Sequence, residues 1–553
     1  MQRIGLDFYS SYSPMASLNS CRLVLATACK HKLPCKHIDV PNAFIQSMVE
    51  RDLYIDLPRG LVLKNAMVTD LLRKNGLLPE NKNRVGLRLL KALYGLKQAP
   101  LLWNLKIDNF LKQQGFTRQT SDACLYKWAD KDKFVLLTLS VDDILCTGNH
   151  PDKIDNLTEN LNKEFQIQIG DELKQCEVSD RVESFLGILV TGNTENGEIM
   201  LSVPSKIEKL IDEVNIAIGG GKLGTKPVLS EDAINEKKKF NASSELQNYV
   251  KEKFAHIVDS RIYMFITARQ DIHVSTWVSR AAKGMHNPQI SHVRVTIELL
   301  KYLNGTKDRG LIYKCDSPCH QLIEKYKTHE KGKEIASDVH ECPCIAFSDA
   351  NWADISDEKL RSTSGFCIFV FGCLISWHTK RQTLTAASTM QAELIAAATC
   401  SDEVKWFSKI LHENVDIFGS RSRDPIPMFV DNAAALSVSN HPSTTPKSKF
   451  VSLREFRIRD YIQDGIVSPL WIPGTLNISD GFTKLLGGNL FQQFTRLLGM
   501  SLSRSNNREN SDHIAKSNEQ QCFYTTSSTV TNFYDFKYHY PNEKYFFYLA
   551  ANS

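Results

Sequence analysis

The sequence lacks any apolar run long enough to cross a bilayer, which would need roughly 18 residues. The longest candidate, Phe366 to Trp377, is short and contains Gly372 and Ser376, so it is better explained as two buried strands around a turn at Gly372. The N-terminus also lacks a basic segment followed by an apolar core, which is the pattern of a signal peptide. These absences predict a cytoplasmic protein without a membrane partner.

The sequence also lacks a strong charge excess and a regular cysteine spacing. Its 67 Lys and Arg against 62 Asp and Glu give a net charge of +5, which permits a polyanionic partner without requiring one. The 14 scattered cysteines favour reduced thiols over a disulfide framework. One group could suggest zinc, but its spacings fit no standard zinc pattern, so ordinary thiols and solvated histidines are favoured: Cys315, Cys319, His320, His340, Cys342 and Cys344.

The length predicts several domains, because single cores stop growing well below 553 residues. Polar stretches at about 219–245, 317–341 and 503–518 divide the chain into three folded blocks and a tail. Helical and strand periodicities alternate in the blocks, as in Leu101 to Gln114 and Phe134 to Leu139. We therefore predict an α+β multidomain protein with an α+β block at 1–217, a mainly helical block at 246–316, a mixed-sheet α/β block at 342–500 and a poorly ordered tail at 501–553.

A pair of acidic residues, Asp142 and Asp143, lies between two apolar runs, which is the pattern of a hairpin with carboxylates at its tip. Neighbouring carboxylates repel each other, and a divalent cation relieves this repulsion. An exposed acidic turn is the alternative. A third acid, Asp39, ends the run Cys35 to Ile38 and could reach the same place from another strand. Such a trio suits two-metal nucleotidyl transfer with Mg²⁺, or with Mn²⁺ in its place.

The segments around these acids resemble copia-type reverse transcriptases in order and spacing: His37 to Phe44, Lys91 to Pro100 with Trp103, and Ser140 to Gly148, extended by Tyr12 to Pro14, Phe185 to Gly187, Arg269 to Ile272, Tyr302 to Lys307 and Gly310 to Tyr313. The resemblance implies that Asp39, Asp142 and Asp143 hold the metals, with help from the Val40 carbonyl. It implies that Phe44 is the steric gate against the 2′ hydroxyl and that Gln98 contacts nucleotide and template. Trp103 is interpreted as a core residue.

A second set of acids also lies at the ends of predicted elements. Asp349 follows the strand Ile345 to Phe347, Glu393 is placed in the first turn of a helix over Gln391 to Leu411, Asp431 follows Met428 to Val430, and Asp480 comes later. The surrounding segments resemble the ribonuclease H domain of copia-type elements: Ser348 to Ala353, Arg361 to Gly365, Ile375 to Trp377, Gln391 to Glu393, Val430 to Asn432 and Ser479 to Lys484. The resemblance implies that the four acids hold two Mg²⁺ that act on the RNA strand of an RNA–DNA hybrid.

The resemblance also implies an architecture and a function. The three blocks would be the fingers and palm of a right-hand polymerase, a helical thumb or connection, and a ribonuclease H-like domain. The substrates would be an RNA template, a DNA primer, an RNA–DNA hybrid and dNTPs, and the protein partners would be a retrotransposon capsid and integrase. The location would be a cytoplasmic virus-like particle with a nuclear phase.

Two alternatives to a full reverse transcriptase stay open. The match to the family begins inside the family's own pattern, at Gly5 to Asp7. The first block is therefore expected to be truncated at its N-terminus and to bind nucleotide weakly. The chain would then be a degenerate fragment with only ribonuclease H activity, or a catalytically silent nucleic-acid-binding relic.

Overall fold

The computed structural model covers most of the chain. It describes residues 2–56, 86–169, 185–229, 240–272, 284–314, 318–327, 342–353, 359–441, 453–502, 536–540 and 543–547, without 195, 241, 485 and 487 but with the single positions 70, 74 and 339. In these ranges no helix combines the length and the apolarity that crossing a membrane requires.

The first block is built on a six-stranded sheet with the order β4-β5-β6-β7-β1-β8 and carries a separate β2–β3 pair. Its elements are α1 (Leu18–His31), β1 (Cys35–Asp39), β2 (Tyr54–Asp56), β3 (Gly86–Arg88), α2 (Ala99–Gln113), β4 (Thr117–Arg118), β5 (Leu125–Asp130), β6 (Lys133–Ser140), β7 (Asp143–Gly148), α3 (Pro151–Phe165) and β8 (Gln168–Ile169).

Both faces of this sheet are covered, which explains the unbroken apolar run in β6. Successive side chains of a strand point to opposite faces. Leu136 joins the core that contains α1, whereas Val135 and Leu137 join the core that contains α2 and α3. Strand β6, which leads to the first acids, is therefore packed on both faces.

The middle block combines helices with a four-stranded sheet of the order β17-β11-β10-β9. Its elements are β9 (Leu189–Asn193), β10 (Glu198–Ser202), α4 (Pro204–Ala217), α5 (Ser244–Glu252), α6 (Phe254–Thr267), α7 (Ile290–Gly305), β11 (Arg309–Lys314) and α8 (Pro318–Lys327). Four features differ from the sequence-based expectation. The block contains a sheet, although a mainly helical block was expected, and β9, β10 and α4 come from 189–217, a range assigned to the first block. Helix α8 lies inside the predicted linker 317–341, because Leu322, Ile323 and Tyr326 are buried in the core. The sheet's edge strand β17 comes from Met500–Leu502, across the boundary predicted at residue 500.

The third block has a mixed five-stranded sheet of the order β14-β13-β12-β15-β16, in which β12, β15 and β16 are parallel and β12, β13 and β14 are antiparallel. Its elements are β12 (Cys344–Asn351), β13 (Thr363–Val370), β14 (Cys373–Arg381), α9 (Thr389–Glu413), α10 (Val415–Phe418), β15 (Ile426–Val430), α11 (Ala433–Asn440), α12 (Arg457–Gln463), β16 (Val467–Trp471), α13 (Asp480–Thr483) and α14 (Gly488–Leu497). The turn expected at Gly372 separates β13 from β14.

In the tail, β18 (Phe536–Tyr540) and β19 (Glu543–Phe547) form an antiparallel pair, which differs from the poorly ordered tail expected there. The predicted linker at 503–518 lies outside the described residues.

One buried arginine joins all three blocks. Arg22 of α1 donates to the carbonyls of Ile266 and Thr267 at the end of α6, the latter at 3.0 Å, and to that of Ile375 in β14 at 3.3 Å. Its guanidinium lies 4.0 Å from the centre of the Trp377 ring. Burial lowers the pKa of Arg22 to about 10. Because these acceptors belong to different blocks, the arginine fixes their relative placement.

We expect Arg22→Met to destabilise the contact between the blocks, since it leaves buried carbonyls unpaired at a cost of about 3 kcal/mol. Differential scanning calorimetry should show a lower melting temperature, and limited proteolysis should release separate blocks. The control is Arg118→Met, because Arg118 donates to the Ala123 carbonyl at 2.6 Å within the first block alone. Proteolysis of Arg22→Met that matches the wild type would contradict this account.

Candidate active sites

The first acidic site is assembled by strand register. Strand β1 pairs antiparallel with β7 so that Asp39 lies directly opposite Asp143. Residues directly opposed in such a pair place their side chains on the same face of the sheet. Asp142 lies in the turn between β6 and β7, one residue before Asp143. The structure thus brings the three predicted acids together at one end of the central strands of the first sheet.

The electrostatics of this edge disfavour three charged carboxylates. Burial raises the pKa of Asp142, and the neighbouring charges of Asp143 and Asp39 raise it further. His37, two residues before Asp39 on β1, donates from Nε2 to Oδ1 of Asp143 at 2.7 Å. The sequence analysis assigned no role to His37. Its strand position, on the same face as Asp39, was the signal that could have identified it.

The remaining residues predicted for this site lie on adjoining elements. Val40 is buried and donates its backbone N–H to the Asp142 carbonyl at 3.0 Å, so its backbone braces the turn. Phe44 lies in a short 3₁₀ helix, Ala43–Gln46, which packs against α2, and its ring centre is 4.8 Å from that of Tyr94.

Gln98, the residue before α2, is buried under the N-terminal segment. Its Oε1 accepts from Gln2 at 2.8 Å, and its Nε2 donates to the Asp7 carbonyl at 3.3 Å. In this state its amide is therefore engaged by the protein's own chain.

The second acidic site is more compact. Strands β12 and β15 run parallel with Ser348 opposite Val430, so the next residues, Asp349 and Asp431, occupy corresponding positions. Asp480 begins α13. Among the described residues, these three acids form the group whose ligand atoms all lie within 4.8 Å of one another; the first trio does not meet that spacing.

Glu393 completes this cluster from α9. Ser388 caps that helix by accepting from the Gln391 N–H, so the helix begins at Thr389 and Glu393 falls in its second turn, one turn later than expected. Burial raises the pKa of Glu393 strongly, and Asp349 and Asp431 raise it further. Its Oε2 atom is buried without a hydrogen-bond partner among the described residues. An all-oxygen donor set with an unpaired buried oxygen fits Mg²⁺.

A lysine partly balances the cluster. Lys484 Nζ lies 2.8 Å from Asp480 Oδ1 and 3.3 Å from Asp349 Oδ1. Burial opposes the charge of Lys484, but Asp349 and Asp480 outweigh it and raise its pKa. The pKa of Asp480 is nevertheless raised, first by burial and then by Asp349. One lysine therefore does not neutralise four acids. Lys484 follows Asp480 by four residues, and this spacing was the signal in the sequence that could have identified it.

A glycine makes this convergence sterically possible. Gly365 lies opposite Asp349 in the β12–β13 pair, and a Cβ atom there would lie 2.6 Å from Cγ2 of Thr483. Without a side chain at that position, α13 can approach the sheet closely enough for Thr483 to donate to Asp349 and for Asp480 to join the group. Close backbone approach is one of the main uses of glycine within strands.

Comparison with known proteins supports the resemblance. Residues 1–225 match a family model described as "Reverse transcriptase (RNA-dependent DNA polymerase)". The retrovirus-related Pol polyprotein from transposon RE1 of Arabidopsis thaliana is 29% identical over 497 residues, which cover 89% of this chain and 29% of that protein. The chain is related to the Pol polyproteins of copia-type retrotransposons. The resemblance predicted from the motifs is confirmed.

Other Pol relatives extend this relation. The retrovirus-related Pol polyprotein from transposon TNT 1-94 of Nicotiana tabacum is 26% identical and covers 89% of this chain and 33% of that protein. The putative transposon Ty5-1 protein of Saccharomyces cerevisiae is 26% identical and covers 66% of this chain and all of that protein. The chain spans about a third of the length of the first two Pol polyproteins. A foamy virus protease-reverse transcriptase structure aligns with 86% of this chain and 48% of that chain at 11% identity, but its TM-score of 0.19 carries no argument about the fold.

We expect Asp431→Asn to stabilise the metal-free third block of this Pol relative, because it removes one of the mutually repelling carboxylates. A gain of roughly 1 kcal/mol corresponds to about 3 °C for a block of this size. The melting temperature should rise in EDTA, and the stabilisation by millimolar Mg²⁺ that we expect for the wild type should disappear. The exposed Asp464 of the same block provides the control, Asp464→Asn. A variant that melts lower in EDTA and still responds to Mg²⁺ would contradict a metal site here.

Proposed function

We propose that the chain is an RNA-directed DNA polymerase that carries a ribonuclease H domain. The observation that carries the polymerase half is the register that sets Asp39 opposite Asp143, beside Asp142 in the hairpin turn. The match of residues 1–225 to the reverse transcriptase family supports the same assignment. The substrates would be an RNA template, a DNA primer and dNTPs.

In this proposal the three aspartates hold Mg²⁺, or Mn²⁺, at the sheet edge, with the Val40 carbonyl as a further oxygen donor. The bound metals supply positive charge that stabilises the anionic phosphates and favours ionisation of the primer 3′ hydroxyl. The protein contributes position: sheet hydrogen bonds fix Asp39 and Asp143, and His37 orients the Asp143 carboxylate. A hydrogen bond donated to a metal-binding carboxylate affects how firmly that carboxylate holds the metal.

Nucleotide selection in this proposal depends on Phe44. Its ring packs against Tyr94. The 2′ hydroxyl of a ribonucleotide would therefore clash with an aromatic ring that is held in place from behind. Gln98 would contact the incoming nucleotide and template. That role requires Gln98 to exchange its present partners, Gln2 and Asp7, for the substrate.

The ribonuclease H half is supported by the second cluster. Ligand atoms of Asp349, Asp431 and Asp480 lie within 4.8 Å of one another. The buried Glu393 lies close enough for Asp349 and Asp431 to raise its pKa. We propose that these four acids hold Mg²⁺ for hydrolysis of the RNA strand of an RNA–DNA hybrid. The tighter spacing of Asp349, Asp431 and Asp480 compared with the first trio favours one second candidate, a protein in which only hybrid cleavage is active. A silent nucleic-acid-binding relic would retain neither reaction.

We further propose that the fingers and palm lie within 1–217, the thumb or connection within 246–316 and the ribonuclease H domain within 342–500, with β9, β10 and α4 of the first range and β17 joining the middle block. The protein would act in a cytoplasmic virus-like particle with a nuclear phase, beside a capsid and an integrase.

Two matched variants test these halves separately. Asp142→Asn should lower the rate of Mg²⁺-dependent primer extension on an RNA template by about a thousandfold or more. It should leave hybrid cleavage intact. Glu393→Gln should do the reverse. The measurements are extension of a labelled primer and cleavage of a labelled hybrid with the same preparations. Cleavage without any extension by the wild type would leave only the second candidate, and neither reaction in the wild type would contradict the proposal.

His37 offers a finer test of the polymerase site. His37→Leu removes the donor to Asp143, so the Mg²⁺ concentration for half-maximal primer extension should rise by about tenfold or more. His37→Gln keeps an N–H donor and should retain part of the affinity. His150→Leu, in the same block but outside the site, is the control. Equal Mg²⁺ dependence in His37→Leu and the wild type would show that His37 does not position the carboxylate.

A further inference from the structure

The turn that carries Asp142 has an unfavourable backbone. Strand β6 ends at Ser140 and β7 begins at Asp143, so Val141 and Asp142 are the two central residues of a tight hairpin. Val141 has φ 57°, in the left-handed region that β-branched residues rarely adopt. Two-residue hairpin turns usually place Gly, Asn or Asp at such a position. A valine there persists only where surrounding contacts over-determine the conformation.

Two contacts from other elements supply this restraint. The indole Nε1 of Trp103, in α2, donates to the Val141 carbonyl at 2.6 Å. The backbone N–H of Val40, next to Asp39, donates to the Asp142 carbonyl at 3.0 Å. Both successive carbonyls of the turn are therefore held, one by a helix of the core and one by the neighbouring strand.

Trp103 is itself immobilised, so it can act as an anchor. Its side chain is 1% exposed, and its ring meets Phe165 of α3 edge-to-face with the centroids 5.3 Å apart. The ring belongs to the core between the sheet and the helices α2 and α3. Core packing alone would explain an aromatic residue here. The indole N–H, however, is directed at the one residue of the catalytic hairpin whose backbone is strained.

We propose that Trp103 is a positioning residue that holds the Val141–Asp142 turn in its strained conformation and thereby presents Asp142 and Asp143. That the turn belongs to a polymerase site rests on the proposed function, whereas the restraint of its backbone by Trp103 does not. Without the indole donor, Val141 can relax to negative φ, which rotates the following peptide and moves Asp142. Displacements of about 1 Å in a catalytic group can cost on the order of a hundredfold in rate.

The test compares Trp103→Phe with Tyr126→Phe. The first variant keeps an aromatic ring and removes the indole donor. The second removes one buried hydrogen bond from the same core, from Tyr126 Oη to Asp108 Oδ1 at 2.8 Å, without contact to the turn. Hydrogen exchange of the amides at 141–143 should accelerate by about tenfold in Trp103→Phe and stay at the wild-type rate in Tyr126→Phe. An increase spread evenly over the whole sheet would indicate lost packing and overturn the proposal.

A second-site variant separates positioning from a general loss of stability. Glycine adopts positive φ without steric cost, so Val141→Gly removes the reason for the turn to relax. In primer extension, Trp103→Phe should lower kcat by about tenfold or more and leave KM for dNTP within about threefold. Adding Val141→Gly should recover most of that kcat. Additive losses in the double variant would overturn the proposal. A wild type without primer extension would contradict the proposed function, and the exchange rates at the turn would then decide this inference alone.

Discussion

Repulsion between carboxylates held at the ends of strands is the constraint around which both candidate sites are organised. At each site two of the acids lie on, or directly after, neighbouring paired strands, so the backbone hydrogen bonds of the sheet limit how far those two can move apart. Burial raises the pKa of Asp142 and of Glu393, which is the response expected of acids in a low-dielectric place. The protein offsets this cost only in part, through His37 at one site and Lys484 at the other. The negative charge that stays unbalanced makes each site suited to a divalent cation.

The rest of the architecture brings the acids of each site together and joins the blocks that carry them. Gly365 leaves space for α13, so that Asp480 reaches Asp349 across the sheet edge. Arg22 bonds carbonyls of the middle and third blocks from its place in α1, and strand β17 returns to the middle sheet after the third block. The two acidic sites therefore belong to one continuous body in which each block depends on its neighbours for buried partners.

The two sites differ in how completely they are formed. The second is closed around Asp349, which is fully buried and held by Thr483 and Lys484. The first is more open, and Gln98, which the resemblance assigns to it, is engaged by Gln2 and Asp7. An open carboxylate trio next to an occupied polar residue is consistent with a site that substrate must rearrange. A closed carboxylate cluster is consistent with a site that is already arranged for its metals.

The sequence alone determined where the acids are, which apolar runs precede them and which family the motifs resemble, because these features are local. It also predicted the mixed sheet of the third block and the hairpin around Asp142 and Asp143. Only the tertiary structure decided the register that opposes Asp39 to Asp143, the bond from Trp103 to Val141, the burial of α8 within an expected linker and the place of β17 in the middle sheet. Each of these joins residues far apart along the chain. Local periodicity carries no information about such pairings, since they depend on which buried surfaces and unpaired backbone groups meet once the chain is compact.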